Sequence, residues 1–585
     1  PENETPTQPD PTSPPIGSDN PSTGPIVTPS IQPNPVSPPL IISPEPDGSN
    51  PPGDNISDSV LPGNNGGENV PIAPIVPNPP IDSSTPNGES TPEAIVRNLR
   101  SRQLEVAPNL GETEIANTLA PPIPNFGMDS GRLELAETSN MSQWSEAQND
   151  PNIRTISRID IEQQLDQGNI TEAISLLDMY FTEELSVYLS QPVPGPRKPL
   201  SALQEKVVHD SEPTGTNPAI IYTFAREQEL SLILVPSKGD PIYKKVEAAD
   251  RETLLKVVTD FRKAIADPRS RMTKSYQVPA QQLYEWLIQP LAEDLRDLEI
   301  DTLMFSMDEG LRSLPVAALY DGQQFLVEQY TIGLIPSMNL TEMNYNPLNN
   351  AQLLAMGVSE FSELYPLPAV PVEIASILTE WPGQAFLNEK LTLKNLQAQR
   401  QKEAFQMIHL ATHADFKPGS PSNSFIQLWD TTLPLSELRQ LKWNEPPVEL
   451  LVLSACRTAI GDRNAELGFA GLAVQAGVKS ALASIWYISD EGTVALMNEF
   501  YNQFRLGWIN EDGTASSTRP YIKAEALRRA QIAMIQGDWR IENGEWIANN
   551  PSRKISLPPE LKHLGNQNLD HPYYWAAFVM IGSPW

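Results

Sequence analysis

The 585-residue chain holds a single cysteine, Cys456. That excludes an intramolecular disulfide and any zinc site built on several thiolates. Long apolar runs are missing too: no stretch approaches the roughly 18 consecutive apolar residues that a membrane-spanning helix needs. Basic residues are scarce. Forty-one Lys and Arg face 73 Asp and Glu, a formal net charge of −32, and the basic residues form no dense run. Electrostatic binding to nucleic acid or to an anionic membrane is therefore not expected. In residues 1–92 the shortage is complete, with no Lys, Arg, His or Trp against 11 Asp and Glu. No secretory signal is visible, and with Pro at position 1 instead of Met its absence decides nothing.

Proline is in excess. The chain has 59, about twice the ordinary usage of about 5%, and 25 of them fall within residues 1–92. Such a stretch cannot bury enough apolar surface to offset its conformational entropy, so 1–92 reads as a disordered, Pro-rich acidic linker. Residues 93–200 read as helical. Ile161, Leu165, Ile170, Ile174, Leu177, Phe181 and Leu185 recur at mostly helical spacing, interrupted at Gly168-Asn169. The pattern is that of one tetratricopeptide-like hairpin, and a repeat array needs about three.

From about residue 217 helical and strand patterns alternate. Strands are expected at Ala219–Ala225, Leu230–Pro236, Ile242–Val246, Thr302–Met307 and Phe325–Ile335, with helices after Asp250 and over Gln281–Leu298. A second unit, 349–585, opens with a strand at Leu353–Gly357. It continues with helix Val372–Trp381, strand Phe405–Thr412, helix Leu435–Leu441, strand Glu449–Ser454, helix Gly468–Gly477 and strand Ser480–Tyr487. Helices Asp490–Phe504 and Lys523–Gln536 follow, then a closing strand within Tyr573–Ile581. Strand cores such as Leu450-Leu451-Val452-Leu453 suit strands covered on both faces. The fold class is thus α/β, a mainly parallel sheet sandwiched by helices, in two consecutive units.

Chemistry-bearing residues collect where such strands end. His413 leaves one apolar strand and Cys456 leaves another 43 residues later; in open α/β sheets functional groups gather at the carboxyl edge. If the two strands are adjacent, imidazole and thiol face each other. A neighbouring His lowers a thiol's pKa from about 8.5 and keeps the thiolate populated. The backbone N–H groups of Ala414 and Cys456 are placed to donate to a tetrahedral oxyanion. His409, four residues before His413, cannot share a metal with it, because strand residues i and i+4 lie about 13 Å apart. His409 reads as structural. No metal or cofactor is called for. The residues alone leave peptidase, amidase and acyltransferase open.

The runs His409-Leu410-Ala411-Thr412-His413-Ala414 and Leu453-Ser454-Ala455-Cys456-Arg457-Thr458-Ala459 resemble the CHAT domain, a caspase-like cysteine peptidase family related to separase. So do Gly468-Phe469-Ala470-Gly471-Leu472-Ala473, Ala476-Gly477-Val478-Lys479-Ser480, Ala483-Ser484-Ile485-Trp486, and His571-Pro572-Tyr573-Tyr574-Trp575-Ala576-Ala577-Phe578. The resemblance spans roughly 200–585 and includes Leu314-Pro315-Val316. It implies a caspase-like fold with a non-catalytic first half, 201–348, and a catalytic second half, 349–585. It further implies His413 as base and acid, Cys456 as nucleophile, and a protein or peptide as substrate. Asp490 matches the position where separase-like relatives receive a basic side chain before the scissile bond. The alternative for Ser489 and Asp490 is to satisfy N–H groups at a helix start. His571 reads as architecture, and Trp486 and Trp575 as core or crevice wall.

Two departures stand out. The family has Gly after the catalytic His where this chain has Ala414, and many relatives carry long tetratricopeptide arrays where this chain shows one hairpin. The expected function is an endopeptidase held quiet until a regulatory protein partner or signal orders its crevice. The rivals are a catalytically silent caspase-like interaction scaffold and a different thiol-dependent acyl transfer. Localisation stays open: Lys-free Pro-rich acidic arms are common in exported or cell-envelope spacers, while a catalytic thiol prefers the reducing cytoplasm.

Overall fold

The structure is a computed structural model describing residues 156–191, 197–348, 351–458, 462–506, 522–549 and 552–585. The arm expected over 1–92, and most of the region expected to be helical over 93–200, lie outside the described residues. The described chain opens with α1 (Arg158–Asp166) and α2 (Ile170–Tyr188). Ser157 caps α1 by accepting from the Asp160 amide, and Gly168 turns the chain at φ +75°, a backbone conformation that costs glycine little.

After α3 (Leu200–Ser211) come β1 (Pro218–Ala225), β2 (Leu230–Pro236), β3 (Ile242–Val246), α4 (Arg251–Ala266), α5 (Gln277–Leu287), β4 (Thr302–Met307) and β5 (Thr331–Leu334). The second half supplies β6 (Leu353–Gly357), α6 (Val370–Glu380), β7 (Gly383–Leu387), α7 (Leu393–Lys402), β8 (Met407–Phe416), β9 (Phe425–Gln427), β10 (Thr432–Pro434) and β11 (Leu450–Thr458). It goes on through α8 (Arg463–Ala470), α9 (Leu472–Ala476), β12 (Ser480–Ser484), α10 (Asp490–Leu506) and α11 (Lys523–Ile535). Four short strands follow, β13 (Trp539–Glu542), β14 (Glu545–Ala548), β15 (Arg553–Ser556) and β16 (Gln567–Asn568), and β17 (Phe578–Gly582) closes the chain.

Thirteen strands share one sheet. Its long track runs β7-β6-β8-β11-β12-β17-β5-β4-β1-β2-β3, with β9 and β10 continuing the pairing of β8 near its carboxyl end. Strands β6, β7, β8, β11 and β12 are mutually parallel, as are β17, β5, β4 and β1. The two blocks meet antiparallel at β12 and β17. The expected α/β class with a mainly parallel sheet is what the structure shows. The expected strand over 325–335 divides into a short helix, Leu326–Gln329, and β5. β8 and β11 each run four residues past the expected strand ends, because they go on pairing with each other and β8 also pairs with β9. A separate four-stranded antiparallel sheet, β15-β14-β13-β16, was not expected.

Alternation along β1 shows how the layers form. Ala219, Ile221 and Ala225 enter one apolar cluster with residues of α4 and α5; Ile220, Tyr222 and Phe224 enter another with Ile161, Leu165, Ile174, Leu177 and Phe181 of α1 and α2. Successive strand residues point to opposite faces, so an all-apolar strand is buried only if both faces are covered. The helical pair covers one of them. It needs no further repeats, because its partner is the sheet.

Buried ion pairs tie this half to the helix that follows β11. Glu184 of α2 meets Arg312 and, at 2.6 Å, Arg463 at the start of α8. Glu466, one turn on and fully buried, accepts from Arg262 (3.0 Å), the Ser313 hydroxyl (2.6 Å) and the Gly310 amide (2.9 Å). Asp308 at the end of β4 takes a bidentate grip from Arg158 at 2.8 Å per bond. Removing one member of a buried pair leaves the other charge uncompensated. Glu466→Ala should therefore cost about 3–5 kcal/mol in urea unfolding, with Arg262 left buried and alone.

Candidate active site

Strands β8 and β11 are neighbours, and their register brings the expected site residues together. Leu450 to Leu453 lie across from Met407 to Leu410; the register then shifts, placing Ala455 across from His413 and Cys456 across from Ala414. Ala411 and Thr412 of β8 thus stand against Ser454 alone. This is a bulge, a local irregularity that re-aims side chains at the strand end. Without it His413 would pair directly with Cys456; with it the two sit one register step apart. Their backbones belong to strands about 4.8 Å apart. Ala414, buried, is flanked by Cys456 on one side and Ile426 of β9 on the other. The Thr412 hydroxyl fastens β9 by donating to the Gln427 carbonyl at 2.7 Å.

The imidazole of His413 is held on three sides. Its Nε2 lies 2.8 Å from the carbonyl oxygen of Tyr365. A carbonyl only accepts, so Nε2 carries a hydrogen. Phe361 packs on the ring with centroids 4.7 Å apart, and Tyr487 stacks on it at 6.1 Å with planes 23° apart. Phe361 and Tyr365 come from the loop between β6 and α6, and Tyr487 from the segment between β12 and α10. Sequence reading passes over the Tyr365 contact because a backbone carbonyl has no residue-type signature. Phe361 also went unremarked, since one aromatic in a loop carries no periodic signal.

Asp490 opens α10, three residues after Tyr487. Its Oδ2 accepts from the amide of Ala369, the residue preceding α6, at 3.2 Å. The start of α10 is served instead by the Ser489 carbonyl, which accepts from the Gly492 and Thr493 amides. Asp490 thus bonds to a different helix from the one it begins. Burial pushes its carboxyl up to about 7; the Ala369 N–H opposes this, while Glu491 and Glu373 add to it.

The remaining expectations concern structural residues. His409 is fully buried, with Nε2 2.9 Å from Glu373 of α6 and Nδ1 3.2 Å from the Tyr501 hydroxyl of α10. It knits β8 to both helices. His571 accepts from the Tyr573 amide at 3.1 Å, its Nε2 lies 3.1 Å from the Thr273 carbonyl, and burial lowers its pKa. Trp486 and Trp575 are core residues whose indole N–H groups donate to the carbonyls of Tyr573 and Asp570. Among the described residues no group of three or more His, Cys, Asp and Glu is gathered to hold a metal ion.

The raised Asp490 carboxyl makes folding pH-dependent. Between about 4 and about 7 the unfolded chain has released this proton while the folded chain retains it, so stability falls as pH rises. Asp490→Asn removes the titration. The melting-temperature difference between wild type and Asp490→Asn should move against wild type across that window and level off above it; a difference constant from pH 4 to 8 would contradict the assignment.

Comparison with solved structures finds the separase–securin complex of Saccharomyces cerevisiae at 9% identity and a TM-score of 0.40, covering 72% of this chain and 34% of that one. The present chain thus spans about a third of the length of that relative. The complex of Porphyromonas gingivalis RgpB pro- and mature domains matches at 11% identity and TM-score 0.31, covering 57% and 76%. The Arg-specific cysteine proteinase gingipain R matches at 12% and 0.30, covering 57% and 74%. No curated protein sequence matches. The CHAT-domain family model matches residues 277–583, just over half of the chain and all of the site. The chain belongs to the CHAT-domain family.

Proposed function

We propose that the chain is a cysteine endopeptidase working through His413 and Cys456. One observation carries the reading: a histidine whose Nε2 is held by a carbonyl sits one register step from the chain's single cysteine on the adjacent strand. Nδ1 takes the thiol proton, and the thiolate attacks the peptide carbonyl carbon. The oxyanion is met by the backbone N–H groups of Ala414 and Cys456. On collapse the C–N bond breaks, the imidazolium gives its proton to the leaving amine, and a thioester remains. Water, deprotonated by Nδ1, then hydrolyses the thioester to free acid and thiol. The substrate is a protein or peptide, and a regulatory partner acts by ordering the loop that carries Phe361 and Tyr365.

A second reading, a silent scaffold for protein–protein interaction, draws on Ala414. It stands in a strand paired on both sides, where ladder carbonyls would compete with an oxyanion for its N–H.

Having only one cysteine makes the test clean, since any thiol-directed label reports Cys456. Cys456→Ala should abolish labelling and cleavage of a peptide library while leaving circular dichroism unchanged. His413→Ala should slow alkylation at pH 7, as the thiol returns toward a pKa of about 8.5. Equal turnover by wild type and Cys456→Ala ends the peptidase reading, and a wild-type thiol that already titrates like free cysteine favours the scaffold.

A further inference from the structure

We propose that Asp490 is a positioning residue: by holding the amide of Ala369 it fixes the loop whose Tyr365 carbonyl orients His413. This rests on the peptidase reading and assigns Asp490 a role other than receiving a basic substrate side chain.

The loop from β6 to α6 is anchored at its start by the Val358 amide on the Ala411 carbonyl (3.0 Å) and the Ser359 amide on Asn388 Oδ1 (2.8 Å). At its far end the Leu367 amide returns to the Ser359 carbonyl at 2.9 Å. Between these anchors the chain is solvent-facing, and Leu364 and Tyr365 are 40% and 52% exposed. The carbonyl that sets the His413 tautomer therefore sits in the part of the loop that opens most cheaply. Asp490 clamps the loop's exit at Ala369, and it does so from the segment that also carries Tyr487. The two walls of the His413 cage, Phe361 and Tyr487, are thus joined to each other by this carboxyl.

The backbone around the loop leaves little slack. A Cβ on Gly357 would stand 2.5 Å from a Val370 methyl, 2.7 Å from Ile374 and 3.0 Å from the Ala411 carbonyl. The start of α6 is thus packed closely against the ends of β6 and β8, next to the residue Asp490 holds.

A clamp and a charge make opposite demands on the amide variant. Asparagine keeps an oxygen acceptor for the Ala369 N–H and loses the charge; alanine loses both. Asp490→Ala should lower kcat about 10–100-fold with little change in KM, the cost expected for a misoriented catalytic group. Asp490→Asn should rescue most of that loss, equally for peptides with basic and neutral residues before the scissile bond. If Asp490→Asn falls as far as Asp490→Ala, with the loss in KM and confined to basic peptides, the residue is a charge-recognition group and the proposal is overturned.

A readout independent of turnover is the ring nitrogen spectrum of ¹⁵N-histidine-labelled protein. Wild type and Asp490→Asn should share a protected His413 Nε2–H signal that Asp490→Ala loses to solvent exchange. An unchanged signal in Asp490→Ala overturns the proposal. Loss of the signal in Asp490→Ala alone, with a wild type that cleaves nothing, would leave the positioning role standing and remove the peptidase reading instead.

Discussion

The site depends on the pairing of β8 with β11. Each strand contributes a buried apolar run, Met407 to Leu410 and Leu450 to Leu453, whose register is fixed because a slip would exchange both strands' faces. Only past Leu453 does the ladder take up an extra residue. That one residue decides what stands across from Cys456: Ala414 instead of His413. The backbones of Ala414 and Cys456 are brought level while His413 is offset by one step. The apolar half of the ladder therefore sets the geometry of the polar half, and a core substitution at Leu453 or Leu410 acts on the site through register.

The first half supports this geometry from outside the β8–β11 pair. Its strands join the same sheet through β17, so the last strand of the chain closes the two blocks against each other. Its helices and its loop 308–313 grip α8, the helix that leaves β11, through Glu184, Glu466 and their arginine partners. A buried network of this kind adds little net stability over apolar packing, but it is directional, and directionality is what a strand exit needs. The single helical hairpin belongs to this support. It packs on the sheet face of β1 with Tyr222 donating to the buried Asp178 of α2 at 2.9 Å, and it is a layer of the domain.

What could be read from the sequence followed from runs of residue type. His413 and Cys456 stood out because each ends an apolar strand, and the alternating units followed from strand cores too apolar for any exposed face. The β-rich stretch with Trp539 and Trp546 was not legible: its strands are two to four residues long, too short for a period to show. α7, with the sequence LKNLQAQRQK, buries only Leu396 and Arg400, so its helical stripe is almost absent. The bulge could not be foreseen, since nothing in Ala411-Thr412 demands an extra residue against Ser454. The bond from Asp490 to Ala369 joins positions 121 residues apart through a backbone amide, and side-chain identity at Ala369 carries no trace of it.

If His413 is catalytic, as proposed, holding its imidazole by a backbone carbonyl has a consequence for control. A carboxylate partner would stabilise the imidazolium with a full charge and would do so wherever its side chain could reach. A carbonyl offers only a dipole, fixed in direction by the path of the chain, so its effect on the ring falls away as soon as the loop turns. In the proposed reaction the strength of His413 as a base is therefore a property of the loop bearing Tyr365, and that loop is exposed between its anchors. Order in the loop and competence of the dyad become one equilibrium. A partner that binds the exposed stretch around Leu364 and Tyr365 needs to touch neither His413 nor Cys456 to raise the rate. It has only to favour the conformation in which the carbonyl faces Nε2, and it can shift that equilibrium by no more than its preference for that conformation.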